Sequence, residues 1–304
     1  MGALDGVRVV DFTRQLPGPF ASRELLRLGA TVVKVEPPEG DPTPEPWYSA
    51  LNDGKDVVSW DARAGTPSPA VADADVVLEG FRPGVFERLG VKLAPDAILC
   101  SITGYGATGL HALDAGHDLN YLGYAGVLAD TAPAVPPVQV ADLAAGAQRA
   151  VIEVLAALLE RGRTGAGARI VVSMTHNAHE LGRFGDPLTG RLACYRIYPC
   201  ADGRFLTVAA LEEKFFVRLC EVVGREELAA RQYEPAQDAL AAELADVFAT
   251  KPLAEWLALF DGEDVCAGPV ATYAEAASTF GRATGARAPD LGEHTDAWRS
   301  EQQA

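Results

Sequence analysis

Short apolar runs rich in valine and isoleucine recur along the chain at residues 7–12, 31–36, 75–81, 97–103 and 168–173, separated by helical or turn-rich stretches. Near-continuous apolar strands joined by crossovers predict a parallel sheet covered on both faces. Residues 17–29 fit the first crossover helix, with proline near the start and glycine at the end. The longest predicted helix is 139–161, where Ala147, Ala150, Val151, Val154, Leu155 and Leu158 form a stripe spaced by three and four. The glycines of 162–167 end it. After about residue 185 the pattern changes. Residues 195–200 and 204–210 flank an Ala-Asp-Gly turn and predict a β-hairpin turning at Gly203. Helices are predicted at 213–223, 240–250 and 253–260, so a smaller α+β domain follows the α/β domain. The clearest loop of the first half is 62–69.

Composition narrows the function classes. A chain of 304 residues with 48% hydrophobic and 22% charged residues is globular. At roughly 150 residues per domain it holds about two. No apolar run reaches the ~18 residues of a membrane span, so no membrane association is expected. Asp5 and Arg8 precede a strand-like run, which does not resemble a secretory signal. Five scattered cysteines without a CxxC pair predict reduced thiols, no metal site and a cytoplasmic location. A net charge of −16 argues against a nucleic-acid partner, and an anionic ligand would need a local basic pocket.

The first strand is followed by Thr13-Arg-Gln-Leu-Pro-Gly-Pro rather than GxGxxG, which removes the main support for a dinucleotide fold site. GxxxxGK[ST], GxSxG and HExxH are absent too. Two residues stand out. His117 lies in Ala-Gly-His-Asp-Leu-Asn-Tyr, where a histidine after glycine is either structural or a proton-transfer group. Asp142 opens the long helix, where a carboxylate either caps free N–H groups or does chemistry.

In their contexts these residues resemble a known family. The segments are Leu4-Asp-Gly-Val-Arg-Val-Val-Asp-Phe, Leu28-Gly-Ala-Thr-Val-Val-Lys-Val-Glu-Pro-Pro, Glu79-Gly-Phe-Arg-Pro-Gly, Ser101-Ile-Thr-Gly-Tyr-Gly, Gly116-His-Asp-Leu-Asn-Tyr, Asp202-Gly-Arg-Phe-Leu-Thr-Val and Leu291-Gly-Glu-His-Thr. In this order they resemble the class III CoA-transferase (CaiB/BaiF) superfamily, most nearly its α-methylacyl-CoA racemases. The resemblance implies a Rossmann-like large domain at 1–190, rejoined by the tail 275–304, and a small α+β domain at 191–274. It also implies an interlocked homodimer, with each active site between the large domain of one subunit and the small domain of the other.

The superfamily's transferases carry an aspartate nucleophile after a strand ending in a Ser-Met-like pair. Here Val172-Ser-Met-Thr-His places His176, or Thr175, at that point. Neither forms an acyl anhydride. The racemases instead use the histidine and aspartate matched by His117 and Asp142, with a supporting glutamate matched by Glu212. The implied reaction inverts the α-carbon of a 2-methyl-branched acyl-CoA by two-base proton transfer through an enolate. Transfer of CoA between carboxylic acids is one alternative, and a degenerate member acting as an assembly subunit is another. CoA arrives on the substrate, so no separate cofactor is expected. By resemblance the CoA-binding residues are Lys34, Lys55, Arg82, Arg88, Asp118 and Tyr121. The family's basic segment reads Asn52-Asp-Gly-Lys-Asp here, setting Asp53 and Asp56 where cations are expected to meet phosphates. A crossover helix is expected to be missing around 65–73.

Overall fold

Six parallel strands build the first unit: β1 (Arg8–Asp11), β2 (Thr31–Glu36), β3 (Asp56–Ser59), β4 (Val76–Glu79), β5 (Ile98–Thr103) and β6 (Ala168–Ser173), in the order β3-β2-β1-β4-β5-β6. This computed structural model describes residues 2–64, 71–184, 187–281 and 288–301. Val9 pairs with Val32 on one side and Val76 on the other, so β1 is central. Val9, Val33, Val58, Val77 and Ile98 are all buried. Both faces are covered, which explains runs that are apolar without alternation.

β3 was not foreseen. It is four residues long, and only Val57 and Val58 carry an apolar signal. As an edge strand it needs cover for its outer polar groups. The chain's last helix supplies it. His294 N–H donates to the Val57 carbonyl at 3.1 Å, and Ser59 N–H donates to Thr295 Oγ1 at 3.0 Å. Trp298 Nε1 donates to Asp56 Oδ2 at 3.0 Å. Asp56 therefore anchors the returning tail, which corrects its expected place opposite phosphates. Asp53 follows the short helix Trp47–Asn52 as its C-cap. Between β3 and β4 the described residues carry only one 3₁₀ turn, Ala62–Ala64. The loop expected at 66–69 lies outside the described residues, as do 282–287 of the tail.

Helix α1 (Pro17–Arg27) follows β1, and α2 (Trp47–Asn52) precedes β3. The short α3 (Val85–Arg88) and α4 (Asp118–Tyr124) were not foreseen. The long helix runs nearly as its stripe predicts but opens as a π-helix, Ala141–Gln148, before continuing as α5 (Arg149–Thr164). α6 (Met174–Gly182) follows β6.

The chain divides into two compact units, 1–182 with 284–304, and 183–283. In the second, β7 (Tyr195–Pro199) and β8 (Phe205–Ala209) form the expected hairpin, with Gly203 at φ 76° in its turn. A third strand, β9 (Ala267–Pro269), pairs with β8. Helices α7 (Glu213–Val222), α8 (Gln237–Phe248) and α9 (Leu253–Phe260) pack Phe216, Leu244 and Trp256 into that unit's own core. α10 (Tyr273–Phe280) opens with a capping box from Thr272 and Glu275. Among the described residues no helix is long and apolar enough to cross a membrane. All five cysteines are free thiols.

Candidate functional site

The strand order dictates where a ligand can enter. From β1 the chain moves outward to β2 and β3, then returns to the other side of β1 as β4. The loops leaving β1 and β4 therefore diverge and open a crevice beyond the carboxyl ends of the strands. A cavity of about 660 Å³ lies there, lined by Phe12–Gln15 after β1, Gly80–Pro83 after β4 and Thr103–Tyr105 after β5. His117, Asn120, Tyr121, Asp142 and Met174 complete the wall.

A buried polar layer holds the β1 loop from beneath. Thr13 N–H donates to Asp11 Oδ1 at 2.8 Å, and the Thr13 and Ser22 hydroxyls also donate to the Asp11 carboxylate. Lys34 Nζ donates to the Thr13 carbonyl at 2.9 Å and pairs with Asp41 Oδ2 at 2.9 Å. Lys55 Nζ donates to the Pro19 carbonyl, Ser22 Oγ and Asn52 Oδ1, 3.5 Å from Asp11 Oδ2. Burial works to raise the Asp11 carboxyl, but Lys55, Lys34 and the two hydroxyls hold it below the usual range. Burial pulls the Lys55 ammonium down to about 7, against the opposing pull of Asp11.

This layer corrects two expected ligand contacts. Lys34 and Lys55 have side chains 0% exposed, with their protons committed to internal acceptors. They shape the loop that faces a ligand and cannot meet CoA phosphates themselves. Arg82 does line the cavity. Arg88 is exposed on α3 and does not line it. The cation that sequence reasoning missed is Arg14, exposed on the cavity wall. Its signal is its place three residues after the end of β1, in the loop that opens the switch point.

His117 is the N-cap of α4. Its own N–H donates to Asn120 Oδ1 at 3.1 Å, closing the first turn. The preceding glycine is required by crowding: a Cβ on Gly116 would stand 2.7 Å from the Tyr121 ring and 2.8 Å from the Tyr105 hydroxyl. Tyr121 donates its hydroxyl to the Gly116 carbonyl. Tyr121 thus lines the cavity, but its hydroxyl fixes the backbone that presents His117.

Asp142 sits in the first turn of the π-helix, a distortion that often accompanies functional positions. Its carboxyl caps nothing: Val140 is the N-cap and receives no side-chain bond. The cap comes from elsewhere, as Asp142 N–H donates to Asp118 Oδ1 at 2.9 Å. A helix start favours a carboxylate. Here burial outweighs it and, with the neighbouring Asp118 charge, pushes the Asp142 carboxyl up to about 7. Asp118 is therefore engaged with Asp142 and does not line the larger cavity.

Replacing Asp118 by Asn keeps an acceptor for that N–H and removes the charge. The Asp142 midpoint, followed by carbon NMR of its carboxyl, should fall below that of the parent protein. An unmoved midpoint would leave burial as the whole cause.

Glu212 belongs to the second unit, where it is the exposed N-cap of α7, and every described residue lining the cavity comes from the first unit. At the expected nucleophile position, His176 Nδ1 lies 2.7 Å from Ser173 Oγ, and Thr175 donates its hydroxyl to the Gly104 carbonyl at 2.8 Å. No carboxylate stands at either residue.

Comparison with known proteins agrees with this architecture. The family model for CoA-transferase family III matches residues 4–286. The α-methylacyl-CoA racemase of Mus musculus is 34% identical over 307 residues, covering 90% of this chain and 79% of its own. The acetyl-CoA:oxalate CoA-transferase of Acetobacter aceti is 31% identical over 324 residues, covering 91% and 83%. The crystal structure of Rv3272 from M. tuberculosis superposes with a TM-score of 0.85 at 29% identity, covering 98% and 99%.

Proposed function

Since this chain belongs to CoA-transferase family III, we propose that within this superfamily of transferases and racemases it acts as an isomerase, inverting the α-carbon of 2-methyl-branched acyl-CoA thioesters. The observation that carries the reading is that His117 and Asp142 line one cavity, with the Asp142 carboxyl at about 7. Inversion needs a base on one face of the α-carbon and an acid on the other. Near neutral pH a carboxyl with that midpoint is both a usable donor and, once ionised, a usable base. Neutral His117 takes the α-proton from one face, the thioester carbonyl holds the charge as an enolate, and protonated Asp142 returns a proton to the other face. The reverse direction exchanges the roles. Arg14 and Arg82 give the larger cavity, which Asp114 also lines, two cations for an anionic handle, against a chain of net charge −16. In this reading the chain works as an interlocked homodimer, and Glu212 from the small domain of a second copy orients the His117 ring. His176 and Thr175 favour it over CoA transfer, because neither supplies the carboxylate that an acyl anhydride requires.

The test is α-proton exchange in deuterated water. A single enantiomer of a 2-methylacyl-CoA should gain deuterium and lose optical purity with no acceptor acid present. Exchange or CoA transfer that appears only when a carboxylic acid acceptor is added would point to a transferase. Neither activity in the folded protein would point to an assembly role.

A further inference from the structure

A second cavity, of about 440 Å³, shares His117 and Asp142 with the first. Its chemistry is different. Leu16, Pro42, Pro44, Trp47, Leu119 and Val135 give it an apolar wall. Its titratable residues besides His117 are the carboxylic acids Asp118 and Asp142, and among the described residues neither lysine nor arginine lines it. The larger cavity, by contrast, carries Arg14 and Arg82 together with Asp114. The reacting pair therefore lies where a space holding cations, in mixed surroundings, meets an apolar one without them.

The apolar wall is built rather than incidental. Thr43, between the two prolines, donates its N–H to Asp41 Oδ1 at 2.9 Å and its hydroxyl to the same oxygen at 2.6 Å. Asp41 is in turn paired with buried Lys34, so this loop is tied to the layer under the sheet. Trp47 N–H donates to the Pro44 carbonyl at 3.0 Å. Three large apolar side chains on this wall are nevertheless held in water: Trp47 is 56% exposed, Leu119 45% and Val135 66%. Apolar surface clustered beside a reacting pair is surface that a ligand would cover.

We propose that this second cavity seats the hydrocarbon substituent of the acyl group, with Trp47 as the residue that selects it, and that acyl chains ending in a carboxylate are rejected. The assignment rests on reading His117 and Asp142 as the reacting pair. The rejection follows from charge: an acyl carboxylate placed here would face Asp118 with no lysine or arginine among the described lining residues to offset it. A methyl-terminated chain gains by burying apolar area against Trp47, Leu119 and Val135.

Trp47 supplies a readout that needs no catalysis. The chain has four tryptophans, and the other three are buried: Trp60 at 9%, Trp256 at 2% and Trp298 at 7% exposed. Acrylamide quenching therefore reports mainly Trp47, and Trp47→Phe should remove most of the quenchable signal. Octanoyl-CoA should shield this tryptophan several-fold, while CoA and adipoyl-CoA, followed in parallel by calorimetry, should leave it open. Trp47→Ala should weaken octanoyl-CoA about tenfold and leave the affinity for CoA unchanged. Octanoyl-CoA binding with no shielding, or no more tightly than CoA, overturns the proposal. Equal shielding by adipoyl-CoA overturns the charge rule. A protein that shows this binding pattern but exchanges no α-proton would fail the isomerase reading and keep the subsite.

Discussion

Asp142→Asn should lower racemisation of a 2-methylacyl-CoA by about 10²–10⁴-fold, the usual contribution of a positioned acid–base group. A complete inversion needs both faces served, so His117→Ala should lose it as well. Exchange of the α-proton divides the two variants. His117→Ala leaves Asp142 able to exchange one enantiomer with retention, and Asp142→Asn leaves His117 able to exchange the other. Deuterium incorporation should therefore show opposite enantiomer preferences. Near-full racemisation by Asp142→Asn would remove Asp142 from the mechanism. The same variant carries a second signature. The Asp142 carboxyl ionises at about 7 in the fold against an ordinary 3.8, so ionisation is harder in the folded protein. The folded state then binds more protons between those pH values, and stability falls as pH rises through that window. Asn removes the penalty. Asp142→Asn should thus be more stable than the parent at pH 8, by roughly 1–3 kcal/mol after allowing for solvent screening, and equal to it near pH 4. A group kept for chemistry at a cost in stability behaves this way.

Asp11→Ala should cost about 3–5 kcal/mol in urea unfolding, the range for removing one partner of a buried ion pair. The variant strands the Lys55 ammonium, whose side chain is 0% exposed, and strips Thr13 and Ser22 of their acceptor. Exposed pairs such as Arg225 with Glu227 should each contribute far less, because water screens them. The sign with pH is fixed by Lys55. Its midpoint is about 7 in the fold against an ordinary 10.5, so the unfolded chain binds more protons between these values. Stability should rise with pH through that window, and in Asp11→Ala the rise should begin at lower pH. The double replacement Asp11→Leu with Lys55→Met should recover much of the loss, because no charge is left without a partner. A double variant as unstable as Asp11→Ala would mean that the hydroxyl partners, rather than the ion pair, hold the layer together.

The reach of the sequence differed from element to element. The strand at 31–36 was legible because burial on both faces writes a mainly apolar run, whereas the edge strand at 168–173 leaves Arg169 and Val171 exposed and was legible from its β-branched residues. The long helix was legible in extent from its spacing, and the Tyr195–Ala209 hairpin from its turn. β3 and β9 were not, since four and three residues carry too little pattern and exist as strands only through their partners. The resemblance singled out His117 and Asp142, which the fold sets on the walls of the same two cavities.

Residue types and their order were enough to determine the fold class, the family and the candidate pair. Tertiary structure alone decided what each charge is for. Lys34 and Lys55 read as ligand cations because a lysine in sequence carries no mark of burial, and packing turned both inward. Asp118 read as a ligand contact and became the cap and neighbour of a residue 24 positions away. Asp142 read equally as a cap or an acid, and only its burial, with that cap supplied by Asp118, separates the two. The physical reason is common to all four. A side chain's charge state and partners depend on desolvation and on groups distant in sequence, and neither exists until the chain has packed.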